Sequence, residues 1–236
     1  MTARSQTISL RAAGDRTIAA WYGAPEPEFG PPPPALVVLH DWWGFTSHVI
    51  ALAERSVAAG FRVIAPDLLD GRVARAPLEG MRNAMDLDVD AAVGIVAEAV
   101  RTLGGPVGVL GFSLGGGVAL IAAARGAGGA AVVSIYGLPR DRDGDGELTA
   151  LAVPAQLHLA EREAFYSAAR VEAVAAELTG RGHEVHHYAA AHGFFHDDQP
   201  ATSDPTAAAL AWSRALGFLR RALLAAGDQL RRDAAK

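Results

Sequence analysis

The chain of 236 residues contains no cysteine. That absence removes disulfides, thiolate metal sites and a cysteine nucleophile at once, and it suits a reducing compartment. Long apolar runs are missing too: VALIAAA, residues 118–124, is cut by Arg125 well short of a membrane span. No block of lysine and arginine occurs, and the formal charge of −5 argues against nucleic acid as a partner. The opening stretch MTARSQTISLRAAGD lacks the apolar core of a signal peptide. These absences lead to the expectation of a soluble, cytoplasmic protein with no membrane or nucleic-acid partner. What is present is ordinary globular material, half of it apolar and a fifth charged, enough for one α/β domain over residues 1–236.

QTISLRA and RTIAAWYG alternate loosely around AGD and read as an antiparallel hairpin. The proline-rich connection from Ala24 to Pro34 is expected to be extended. ALVVLH, FRVIAP and VGVLGF are strands of the fully buried type, and AAVVSIYG, AQLHLA and EVHHYAA read as three more. Between them lie helices: one from about Ser47 to Ala59, one striped by Val89, Ala92, Val93, Val96 and Val100, and the small-residue run LGGGVALIAAARG. Val171, Val174, Ala175 and Leu178 mark another, and Trp212, Leu216, Leu219 and Leu223 stripe a C-terminal one. The stretch from Leu68 to about Asp86 reads only as mixed. Strands alternating with helices imply a mostly parallel sheet with helices on both faces.

In such sheets chemistry gathers at the carboxyl ends of the strands. GFSLG, residues 111–115, sets Ser113 between a strand and a helix in the G-x-S-x-G pattern of a nucleophile elbow. There the Leu114 amide can face a developing oxyanion. The plain alternative is a glycine-rich turn with a capping serine. A serine nucleophile needs a base, and the chain order of such sites is serine, acid, histidine. Of eight histidines, His192 lies just past the last expected strand, in AAAHGFF, while His183, His186 and His187 fall on or beside that strand as structural residues. His196 reads as a loop residue, and with no third ligand in register no metal site is expected.

Five blocks, VVLHDWWGF, GFRVIAPDLLDGR, VGVLGFSLGGGVAL, LHLAEREAF and HHYAAAHGFFHDD, together resemble the dienelactone hydrolases of the α/β-hydrolase superfamily, in order and at family-like intervals over about residues 35–200. The resemblance implies an α/β-hydrolase fold of about eight strands, a small-molecule ester or lactone substrate and no cofactor. It puts the nucleophile at Ser113, the base at His192 and the oxyanion amides at Leu114 and Trp42. It puts the acid at Glu163, in AEREAF, with Glu161 as its rival two residues earlier. Three departures stand out. Serine replaces the cysteine of the best-known members. Asp41 replaces a glutamate that touches the resting nucleophile there, and reads either as a substrate contact or as a loop carboxylate capping nearby amides. GFFHDD, with His196, replaces an arginine that binds the substrate carboxylate.

Trp42, Trp43 and Phe45 sit on an expected active-site loop, either as walls of a substrate pocket or as packing. Arg72 and Arg75 either reach an anionic substrate or solvate the surface, the second being the plainer reading. DRDGDGE, residues 141–147, opens like a calcium loop, but its twelfth position is Ala152 rather than a bidentate glutamate, so a solvated acidic loop is expected. The functional expectation is a serine hydrolase of lactones or esters. Its alternatives are a general carboxylesterase for neutral esters and a non-catalytic binding protein of the same fold.

Overall fold

The computed structural model describes residues 3–12, 14, 16–26, 32–143 and 145–235. Parts of the AGD turn and of the proline-rich connection, with Gly144 and the side chains of Asp141 and Asp145, therefore lie outside the described residues.

Among the described residues eight strands form one sheet, in the order β1-β2-β4-β3-β5-β6-β7-β8. β1 (Ala3–Arg11) and β2 (Thr17–Pro25) make the expected hairpin, with Leu10 opposite Ile18, and β2 runs antiparallel to β4 (Arg62–Pro66). The remaining pairings are parallel, through β3 (Ala35–Leu39), β5 (Val107–Phe112), β6 (Ala131–Ile135), β7 (Ala155–Arg162) and β8 (Glu184–Ala191).

β3 and β5 are buried at every position, which is why their sequences read as unbroken apolar runs. Their alternate side chains enter two cores. Val37, Leu39 and Val109 face α3 (Val89–Leu103), α4 (Leu114–Ala124) and α5 (Ala168–Gly180). Leu36, Val38, Leu110 and Phe112 face α1 (Ser47–Ala58) and α6 (Pro205–Ala234). Among the described residues no helix is long and apolar enough to cross a membrane.

The mixed segment after β4 holds a helix the pattern did not disclose, α2 (Pro77–Asp86). Proline at the start of the helix fits its preference for the first turn. Only Gly80 and Asn83 of α2 are buried, while Leu78, Met81 and Met85 are exposed, so no apolar stripe pointed to a sheet. Its residues instead overhang the carboxyl edge of the sheet, where the site lies.

Fully buried His158 on β7 donates through Nε2 to Gln156 Oε1 (2.8 Å) and accepts at Nδ1 from the Tyr188 hydroxyl (2.7 Å). Burial first, then the charges of His186 and Arg214, push its pKa down to about 3. The unfolded chain therefore binds a proton that the fold rejects between pH 6.5 and 3. This contribution to stability is full above about pH 6.5 and declines as pH falls, by up to about 1.4 kcal/mol per unit. Urea unfolding at pH 7 and pH 5 should show a loss of up to about 2 kcal/mol that shrinks in His158→Gln. An equal loss in both proteins would assign the acid sensitivity to other groups.

Candidate active site

Ser113 connects β5 to α4 with φ 48° and ψ −112°, in the left-handed half of backbone space that a side chain rarely occupies. Close packing imposes that turn. A Cβ on Gly111 would collide with the Gly115 carbonyl, and one on Gly115 with the carbonyls of Leu39 and His40. The glycines thus let α4 lie against the strand ends, and Ser113 takes the bend. Such strain costs of order 1–3 kcal/mol and collects where geometry serves chemistry.

The Ser113 Oγ lies 2.7 Å from His192 Nε2, and His192 Nδ1 lies 2.9 Å from Glu163 Oε2. A carboxylate only accepts, so the imidazole proton sits on Nδ1 and Nε2 accepts from the serine hydroxyl. The other carboxylate oxygen of Glu163 accepts the Ala164 and Phe165 amides, each at 2.8 Å. These bonds hold Glu163 in the loop after β7, as His192 is held in the loop after β8. Both side chains are nearly closed to solvent, 9% exposed for Glu163 and 7% for His192. Glu161 is exposed and, among the described residues, makes no bond to His192.

Aromatic rings surround the imidazole. Phe165 meets it edge-on at 4.6 Å, and Tyr136 lies 5.0 Å away on a backbone of positive φ, 41°. Tyr136 and Tyr166 carried no sequence signal as site residues, because strand and helix periodicity stop where these loops begin. Trp42 packs on Phe165 at 4.9 Å and lines the same cavity as Ser113.

The turn after β3 is held from several sides. Asp41 Oδ1 accepts the Trp43 amide (2.9 Å), and Asn83 Nδ2 donates to the Trp42 carbonyl (3.2 Å). The Leu68 amide donates to His40 Nε2 (2.9 Å), so His40 carries its proton on Nδ1 and gives it to the Asp41 carbonyl (2.7 Å). Among the described residues neither the Trp42 nor the Leu114 amide is spent on a protein acceptor. The hydrogen bonding of the fold thus leaves both amides available.

Three expected substrate contacts lie elsewhere. Asp41 is buried and bonds His196 Nε2 through Oδ2, so it fastens the β3 turn to the loop carrying His192 and does not line the cavity. His196, expected as a plain loop residue, is itself buried and stacks on His48 at 4.1 Å. Burial opposes charge on both rings. For His196 the hydrogen bond and charge of Asp41, with Asp198, outweigh it and raise the pKa, while for His48 burial and the neighbouring His196 lower it. The proton of the stacked pair therefore belongs to His196. Trp43 turns away to meet Trp42 and His196. Arg72 donates to the Leu69 carbonyl and faces a separate cleft with Asp86, which Ser113 does not line. Of the acidic loop, Asp143 is taken up by Arg140, and no group of three metal-ligating side chains occurs among the described residues.

Residues 18–223 match the model of the dienelactone hydrolase family. The chain is 28% identical over 207 residues to the protein usf of Aquifex pyrophilus, covering 80% of this chain and 89% of that one. It is 25% identical over 232 residues to carboxymethylenebutenolidase 1 of Cupriavidus pinatubonensis, covering 91% and 96%. The crystal structure of a dienelactone hydrolase from Anabaena variabilis superposes with a TM-score of 0.67 at 20% identity, covering 94% of this chain and all of that one, a likeness of fold.

Proposed function

The chain belongs to the dienelactone hydrolase family, and from that premise we propose that it hydrolyses a small-molecule carboxylic ester or lactone through an acyl-enzyme on Ser113. The observation that carries this reading is the unbroken relay from Ser113 through His192 to Glu163. His192 Nε2 takes the hydroxyl proton as Oγ attacks the carbonyl carbon. The tetrahedral oxyanion is received by the Leu114 and Trp42 amides. Glu163 stabilises the imidazolium that forms and keeps it facing the serine. His192 then returns its proton to the leaving alkoxide, which in a lactone stays attached to the acyl group. Water, deprotonated by the same nitrogen, attacks the acyl carbon; the bond to Oγ breaks, the acid leaves and His192 returns the proton to Ser113. The sequence of steps asks for no cofactor. The cysteine-free composition suits the reducing cytoplasm, where we place this activity.

A fluorophosphonate probe tests the nucleophile directly, because it reacts with an activated serine and not with a capping one. Stoichiometric labelling of Ser113, identified by peptide mass and prevented by prior denaturation, is the expected result. Folded protein that stays unlabelled and turns over no ester would favour the non-catalytic binding protein.

A further inference from the structure

The hydrolase reading leaves the substrate open, and the cavity beside Ser113 narrows it. This cavity of about 410 Å³ follows one face of α4, past Leu114, Gly117, Val118 and Ile121. At about 1.5 Å of rise per residue, the wall from Ser113 to Ile121 is about 12 Å long. Met81, Ala84 and Met85, on one side of α2, form the opposite wall. Methionine side chains adapt to an apolar guest without a fixed shape. Met81, Met85 and Phe165 are also substantially exposed, so the entrance itself is apolar.

Arginines stand at the cavity rim, each already bonded to the protein, Arg140 to a carboxylate and Arg142 and Arg170 to backbone carbonyls. Arg140 binds both oxygens of Asp143 and the carbonyls of Ala84 and Leu87. Arg142 donates to the carbonyls of Met85 and Leu87, and Arg170 to that of Pro139. Arg140 and Arg142 thus close the carbonyl end of α2, where cations are favoured, and pin that helix over the cavity. Arg72 is on another face.

We propose that the site selects neutral esters bearing an unbranched apolar chain of medium length, laid along α4 between Ile121 and the methionines of α2. This rests on the hydrolase reading above. An extended chain advances about 1.3 Å per carbon, from C–C bonds of about 1.5 Å, so about 12 Å of wall seats roughly eight to nine carbons. Each buried methylene is worth up to about fourfold in kcat/KM.

The test is a series of p-nitrophenyl esters from two to fourteen carbons, used as monomers, with a hexanedioate monoester beside the hexanoate. The kcat/KM is expected to rise about 10²-fold or more from the two-carbon to the eight-carbon ester and to fall beyond about twelve. The added carboxylate is expected to lose at least about tenfold, because its place in the seat is the apolar wall of Ile121, Met81 and Met85. Ile121→Phe should move the optimum to shorter chains. Met85→Ala, a change at an exposed position less apt to disturb folding, should flatten the preference. A best rate on the acetate, or a carboxylated ester faster than its neutral partner, would overturn the proposal. If no ester turns over and no probe labels Ser113, the hydrolase reading has failed and the chain seat is judged by calorimetry with straight-chain alcohols. Affinity rising with length up to about eight carbons would support the seat, and affinity independent of length would dismiss it.

Discussion

Replacing Ser113 with alanine is expected to lower kcat on the best ester by about 10⁶-fold while leaving the fold intact. The size follows from what remains: amides that still face the carbonyl oxygen, and an imidazole with no nucleophile to activate. Binding and the oxyanion amides alone keep only a residual acceleration of about 10³–10⁴ over water. The fold is spared because the Ser113 side chain has one partner, His192, and caps no helix amide. Alanine keeps the unfavourable positive φ, whereas Ser113→Gly removes that strain, so the glycine variant should unfold at the same or a higher temperature than the alanine variant. Turnover and thermal unfolding of the three proteins together check this. Alanine protein that keeps more than about a thousandth of the activity, with no wild type present, would take the nucleophile away from Ser113.

Glu163→Gln should lower kcat by up to about 10⁴-fold, again with the fold retained. Glutamine keeps the oxygen that accepts the Ala164 and Phe165 amides and so keeps the loop. Towards His192 it presents a donor in place of Oε2. Nδ1 must then accept, the imidazole proton moves to Nε2, and the base meets Ser113 already protonated on the nitrogen that should take the proton. The imidazolium also loses its counter-charge in a nearly closed site. Glu161→Gln, at an exposed side chain, should stay within about twofold of wild type. Collapse of the Glu161 variant with Glu163→Gln near normal would exchange the two roles.

From sequence alone, the sheet was legible because parallel strands buried on both faces leave continuous apolar runs, as in ALVVLH and VGVLGF. The elbow was legible because close approach of helix and strand demands glycine at fixed offsets, and no other residue meets that demand. His192 followed from its place at the end of a strand, and Glu163 from the resemblance of AEREAF to the family block. Each of these is a local pattern. Only the tertiary structure decided which side chains meet across loops. Asp41 and His196 lie 155 positions apart, and neither periodicity nor composition records their bond. α2 was hidden because a helix laid over a site need not carry a core-facing stripe. Arg72 lines another cleft, and Arg140 and Arg142 at the cavity rim bond the carbonyls at the end of α2. Local sequence governs backbone preference and which face is apolar. The partner of a loop side chain is set by how the packed elements bring the loops together.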